Sequence, residues 1–277
     1  MEDEYMVANG GRFAAVFDGH GGNLVSKFLK KRLYEEYNSI LSSKHWEERD
    51  DFDQNKLRTP SLSSHVQSIR AAFERIEEQV LRDDEMDHQG STAVAVVVHV
   101  AEDGRRMLLS ANVGDSRAIL SKKKKAVDLT WDHKPNEERE RARIFARGGE
   151  VEWDPHAQVH RVQHLSLSRA IGDRFAKPIV AADPEIRVFP VSENDDEFFL
   201  LASDGLWDVM TSQDVVDFVH ATLEEGSSNP TLTRDEKATQ LRVNHKKMAK
   251  LVAEEALARG SSDNICVLLV WLDESMR

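Results

Sequence analysis

A chain of 277 residues is long enough to bury a substantial core, as one large domain or two small ones. Its 40% hydrophobic and 31% charged residues are ordinary for a soluble protein, and its net charge of −12 (37 basic against 49 acidic side chains) argues against general nucleic-acid binding or adhesion to anionic membranes. Cys266 is the single cysteine, so no intramolecular disulfide can form and a reducing compartment is expected; the longest apolar run, Ile265–Leu272, is too short to span a bilayer.

The opening MEDEYMVANGGRF reads as a strand, a turn at Asn9-Gly10-Gly11 and a second strand through Phe17. That second strand ends in Asp18-Gly19-His20-Gly21-Gly22, so an apolar run delivers a carboxylate to its end among small residues. Leu24, Val25, Phe28, Leu29 and Leu33 then predict a helix over 23–37. Ser42–Ser64, polar and carrying Pro60, predicts a surface excursion. A second amphipathic helix is expected over His65–Arg82. Thr92–Val100 (TAVAVVVHV) is nearly all apolar, as in a central strand covered on both faces. Strands at Met107–Val113 and Ala118–Ser121 follow, joined by the turn 114–117. The charged stretch Pro135–Arg147 predicts a helix stopped by Gly148-Gly149. Val151–Pro190 is mixed strand and loop. Beyond it lie a strand at Phe198–Ala202, a helix at Ser212–Leu223 with Ser212 as its expected N-cap, a helix to Arg259 and a last strand at Ile265–Leu272. These signals alternate without a regular βαβ rhythm or a Gly-rich phosphate loop, which predicts mixed α and β with mostly antiparallel sheets. No internal repeat or linker divides the chain, so residues 1–277 are expected to form one domain. No charged-then-apolar leader opens it, and the expected location is the cytoplasm, with the nucleus as the second choice.

Acidic residues at strand ends or tight turns recur along the chain: Glu2 and Asp3, Asp18, Asp115, Asp204 with Asp208, and Asp263. A lone Asp at a turn is usually structural. Five such places, each beside an apolar strand, would form a cup of oxygen ligands if the sheet gathers them. Clustered carboxylates repel unless cations neutralise them, and an all-oxygen set selects Mg²⁺ or Mn²⁺ over zinc. Two such ions, ~3.5–4 Å apart, would clamp a phosphoryl group and lower the pKa of a bridging water. Asp18 is the best bridging candidate, since its glycine neighbours leave room on both sides. His20 adds a group that can pass a proton near neutral pH.

At this point the sequence resembles the metal-dependent protein phosphatases of type 2C, which act on phosphoserine and phosphothreonine. The resemblance rests on MED (1–3), VFDGHGG (16–22), GSTAV (90–94), ANVGDSRAIL (111–120), DHKP (132–135), GG (148–149), SRAIGD (168–173), ASDGLWDV (202–209) and SSDN (261–264), in the family's order. It implies an α+β fold, a central antiparallel β-sandwich flanked by helices in four α-β-β-α layers. It also implies a two-metal centre served by Glu2, Asp3 (largely through water), Asp18, the Gly19 carbonyl, Asp204 and Asp263. Asp115 and Asp208, with Asp204, match a weaker third-metal site, and His20 matches the proposed general acid. The implied chemistry is direct attack of activated water on phosphorus, with no phosphoenzyme, on phosphorylated protein substrates by a monomer. Cys266 agrees: a cysteine phosphatase needs Arg six places later, where this chain has Leu272.

The resemblance also implies an Arg four residues before Glu2 that contacts the substrate phosphate. That position and most of the family's first strand lie ahead of Met1, so a contact worth ~1.5–3 kcal/mol is expected to be missing. The stretch RVQHLSLSR lacks the glycine usual before SRAIGD, and Arg174–Asp183 is short where some members carry a longer flap. Among lesser signals, Lys122–Lys125 is expected at a solvated hairpin tip, and His156, His160 and His164 as a scattered surface set. Trp153 is expected to pack beside the site, and Asp128 and Asp132 to be turn residues. A catalytically silent relative that binds phosphoproteins, or a metal-binding module without phosphatase chemistry, are the competing readings.

Overall fold

The structure, a computed structural model, describes residues 1–47, 60–192, 195–228 and 234–272; at 44–47, 225–228 and 234–242 it describes the backbone alone. The opening hairpin forms as its pattern predicts: β1 (Glu4–Ala8) and β2 (Phe13–Phe17) pair antiparallel across a 3₁₀ turn at Asn9–Gly11. A short β3 (Gly19–His20) follows. Helix α1 (Leu24–Glu47) runs past the predicted end at Tyr37, because Ile40 and Leu41 continue its buried stripe. The expected excursion from Ser42 is therefore helical to Glu47, and its 48–59 part lies outside the described residues. Helix α2 (Leu62–Val80) starts early because Ser61 caps it, accepting the Ser64 amide at 3.1 Å.

The middle of the chain supplies β4 (Gly90–Ser91), β5 (Ala93–Val100), β6 (Arg106–Val113), β7 (Arg117–Lys122), β8 (Lys125–Asp128) and α3 (Glu138–Ala146). The mixed stretch resolves into β9 (Glu152–Asp154), β10 (Val159–Arg161), β11 (Ile171–Gly172) and β12 (Glu185–Val191). Then come β13 (Asp196–Ala202), α4 (Asp204–Trp207), α5 (Ser212–Ser228), α6 (Arg234–Ala258) and β14 (Val267–Trp271). Thr211, rather than Ser212, caps α5. Its hydroxyl accepts the Asp214 amide at 3.1 Å while Asp214 Oδ2 accepts the Thr211 amide at 2.9 Å, a reciprocal capping box one residue earlier than expected.

Two sheets stack face to face, one in the order β1-β2-β5-β6-β12 and one in the order β14-β13-β7-β8, with every pairing antiparallel. Strand alternation decides the layers. Phe13, Ala15 and Phe17 of β2, with Ala93, Ala95 and Val97 of β5, turn towards α1 and α2. Their neighbours Ala14, Val16, Val94, Val96 and Val98 turn inward against Phe199, Leu201 and Val270 of the second sheet. The outer face of that sheet packs Phe198 and Leu200 on Val215 and Val219 of α5 and on Met248 and Val252 of α6. The α-β-β-α sandwich is thus the expected one, and β5 is its central strand, buried on both faces.

Smaller signals resolve as well. Lys123 and Lys124 form the β7–β8 hairpin tip with positive φ, and Lys124 pairs with Glu224 at 2.6 Å. His160 sits opposite Trp153 across the β9–β10 pair and meets it at a tilt, ring centroids 4.9 Å apart. Trp153 is half-exposed on that hairpin rather than packed into the protein, which corrects the expectation for it. In place of the glycine missing before SRAIGD, Gln163 (φ 49°) and His164 (φ 70°) take left-handed conformations in a two-residue turn closed by mutual 2.9 Å hydrogen bonds between Val162 and Leu165.

Candidate metal centre

The strand registers bring the predicted carboxylates to one end of the sandwich. Glu4 pairs with Phe17, which sets Glu2 and Asp3 beside Asp18 at the end of β2. Ala202 pairs with both Val267 and Arg117, which sets Asp204 between the turn carrying Asp263 and the turn carrying Asp115. Small polar side chains tie the sheets together there. Ser203 Oγ donates to Asp3 Oδ2 at 2.8 Å and accepts the Cys266 amide at 2.9 Å. Thr92 Oγ1 accepts the Asp18 amide at 3.1 Å and lies 2.6 Å from Ser116 Oγ, while Asn264 Oδ1 accepts the Glu2 amide at 3.2 Å.

The electrostatics of this end are those of an uncompensated anion cluster. Burial, followed by the charges of Asp204, Asp3 and Asp115, pushes Asp18 up to about 10, so it keeps its proton. Asp3 is raised by burial as well, and its Oδ1 is buried without a hydrogen-bond partner. Asp204 reaches about 7 through burial and the Asp115 charge. One cation faces part of the group. Lys134 Nζ pairs with Asp115 Oδ2 and lies 3.9 Å from Asp204 Oδ2. Asp208 and Asp263 stand exposed at the rim, and Asp263 Oδ1 accepts the Asn264 amide at 2.6 Å. Among the described residues no three His, Cys, Asp or Glu side chains form a ready-made chelating group. The donor set nevertheless fits a hard cation: carboxylate oxygens from several strand ends, one of them, Asp3 Oδ1, buried without a partner.

Contrary to the expectation from the sequence, the glycines around Asp18 do not leave open room; they admit the chain's own backbone. A Cβ on Gly19 would stand 2.8 Å from both the Glu2 carbonyl and Ser26 Oγ, and one on Gly21 would stand 2.4 Å from the His88 carbonyl. Ser26 Oγ donates to that Glu2 carbonyl at 2.6 Å and so holds the acidic N-terminal segment down. Next to Gly19, His20 Nε2 lies 2.7 Å from Asp173 Oδ2. Burial alone would lower the His20 pKa, but the hydrogen bond and charge of Asp173 raise it. The thiol of Cys266 is buried and pushed up to about 12, which disarms it as a nucleophile.

Sequence reasoning did not single out Thr92, Ser203, Asn264, Lys134 or Asp173. Each lies inside a recognised motif, but its part depends on a partner distant in sequence. Of the expected turn residues, Asp132 instead makes a two-point ion pair with Arg117, at 2.9 and 2.7 Å, and Asp128, ending β8, accepts the Ser212 hydroxyl at 2.6 Å. A cavity of about 760 Å³, lined by Trp131, His133, Arg139 and Arg169 among others, contains none of the predicted site residues.

The sequence profile described as Protein phosphatase 2C matches residues 8–265. A relative from Oryza sativa subsp. japonica named probable protein phosphatase 2C 7 is 36% identical over 265 residues, 94% of this chain and 58% of that protein. A structure of a C. elegans sex determining protein superposes with a TM-score of 0.76 at 26% identity, over 98% of this chain and 61% of that one. A serine-threonine phosphatase 2C from Toxoplasma gondii gives 0.70 at 24% identity, over 98% and 90%, a likeness of fold. The chain spans only 58%, 44% and 55% of three curated relatives that it matches. With its motif order, its sandwich and these likenesses in agreement, the chain belongs to the protein phosphatase 2C family.

Proposed function

We propose that this chain hydrolyses phosphoserine and phosphothreonine in proteins, using two Mn²⁺ or Mg²⁺ ions held by Glu2, Asp3, Asp18, the Gly19 carbonyl, Asp204 and Asp263. The observation that carries the reading is Asp18, a carboxylate pushed up to about 10 by burial and by three other carboxylates at the end of the sandwich. Folding does not favour such a group for its own sake; an external cation would relieve it. When bound, the ions would lower the pKa of a water and neutralise charge on the phosphoryl oxygens. The chain's own residues do the rest. Asp18 lies between the Asp3 and Asp204 sides of the cluster and is the residue suited to serve both ions, and the carboxylates would draw in around them. Ser203 and Thr92 hold Asp3 and the Asp18 backbone in register. His20 would deliver a proton to the leaving serine or threonine oxygen. Cys266, disarmed by burial, is no route to a phosphoenzyme. At the weaker third position, Asp115 and Asp208 could take an ion only in competition with Lys134.

Phosphate release from a phosphothreonine peptide, followed as Mn²⁺ is titrated, tests this reading beside an Asp204→Asn control. Turnover that depends on the metal and falls by on the order of 10³-fold in the control is expected. A wild-type chain that releases no phosphate at any Mn²⁺ concentration would leave a phosphoprotein-binding relative as the surviving reading.

A further inference from the structure

We propose that Asp173 is a positioning residue for His20, fixing the imidazole through Nε2 so that Nδ1 is the nitrogen turned to the scissile phosphate ester; this rests on the phosphatase reading above. The fold builds the pair deliberately. Three short strands, β11, β4 and β3, form a sheet of their own in which Gly172 pairs with Gly90 and Gly90 with His20. Asp173, the next residue, is fully buried and takes a left-handed conformation (φ 50°, ψ 52°). Such a conformation is disfavoured for a non-glycine residue and persists where its surroundings hold it. Here the Asp173 amide donates to the Gln89 carbonyl at 2.9 Å and its carbonyl accepts the Ala176 amide at 2.8 Å.

The space over Gly90 confirms the alignment. A Cβ on Gly90 would stand 2.2 Å from Asp173 Oδ2 and 2.4 Å from His20 Nε2, so the hydrogen bond runs across the bare glycine face. Asp173 Oδ1 is buried without a partner, and the 2.7 Å bond to His20 is the one its carboxylate makes among the described residues. Nδ1 of His20 makes no hydrogen bond among the described residues. A buried carboxylate on one ring nitrogen sets both the orientation of an imidazole and the nitrogen left for chemistry. The glycine of GSTAV and the aspartate of SRAIGD, neither of which is a metal ligand in the proposal above, thereby acquire a joint purpose.

The test compares two substrates at saturating Mn²⁺: a phosphothreonine peptide, whose alkoxide needs a proton to leave, and p-nitrophenyl phosphate, whose phenolate does not. Asp173→Asn should lower kcat on the peptide by on the order of 10²-fold and on the nitrophenyl ester by about threefold or less. Asn is well suited to the left-handed backbone, and retained Tm and Mn²⁺ binding by calorimetry would verify the fold. The double variant with His20→Gln should be no slower on the peptide than His20→Gln alone. Equal losses on both substrates, or losses that multiply in the double variant, would overturn the assignment. Should Asp173→Asn fail to fold, long-range ¹H–¹⁵N spectra of the wild-type chain decide: the neutral His20 ring must carry its proton on Nε2, and a proton on Nδ1 overturns the pair. A wild-type chain silent on both substrates would instead defeat the phosphatase reading, and the ring spectrum would still show whether the pair exists.

Discussion

Two acidic residues of this protein, Glu140 buried and Asp18 half-buried, sit in opposite company. Glu140 on α3 lies among guanidinium groups: Arg169 Nε donates to Oε1 and Oε2 at 3.1 and 3.0 Å, Arg143 donates twice to Oε2, and Ser168 adds a 2.7 Å hydrogen bond. Burial alone would raise its pKa, but Arg169, Ser168 and Arg143 together hold it at about 2. Asp18 lies among carboxylates and is driven up to about 10. The first arrangement is complete within the chain and holds the SRAIGD segment to α3. The second is neutralised only by a proton, and on it rests the proposal of a metal site. A carboxylate matched by guanidinium groups stays ionised, whereas one set among its own kind holds its proton.

The sharpest way to break the comparison is to remove each charge in turn from metal-free protein. Glu140→Gln should cost about 3–5 kcal/mol in urea denaturation, because two arginines lose their partner. Asp18→Asn should do the reverse and stabilise by on the order of 1–3 kcal/mol, because the amide is neutral in both states, whereas the carboxyl must hold a proton in the fold that it releases on unfolding. Destabilisation by both variants would erase the distinction.

Acidity should separate the two more gently. Glu140 has a folded pKa below its ordinary 4.5, so its contribution is present above pH 4.5 and is lost as pH falls towards about 2. Asp18 has a folded pKa above its ordinary 3.8, so its penalty is absent below that value and grows as pH rises towards about 10. Melting metal-free variants beside the wild-type chain, the gap for Glu140→Gln should close in acid. The gap for Asp18→Asn should widen from about pH 5 to about pH 9, and a gap constant with pH would contradict the origin assigned to it. The smallest effect is expected at the turn beside the Glu140 region. His164→Gly, relieving a left-handed residue, should stabilise by about 0.5–1 kcal/mol and add independently to either change, as measured by denaturant midpoint.

Much of the fold was legible in the sequence, because strand and helix periodicities are local. The continuous apolar run at 92–100 announced a strand covered on both faces, and the short apolar run Phe13–Phe17 after the Asn9-Gly10-Gly11 turn announced the second strand of a hairpin. Element ends were read less well, since α1 continues past Tyr37 and the cap of α5 lies at Thr211. Both depend on a few extra contacts that a repeating pattern does not signal. The acidic residues of the candidate centre were legible one by one as carboxylates at strand ends. What the glycines beside Asp18 make room for was not, because the Glu2 carbonyl and the 88–89 loop arrive from elsewhere in the chain.

By itself, then, the amino-acid order determined most of the elements and the family, since these follow from spacing and motif identity. Only the tertiary structure decided which charges meet. The pairing of His20 with Asp173, of Lys134 with Asp115 and of Glu140 with Arg169 spans from 19 to 153 positions of sequence. Coulomb energies and desolvation depend on distance in space and on the exclusion of water. A carboxylate held at about 2 and one driven to about 10 look alike until the chain has folded around them.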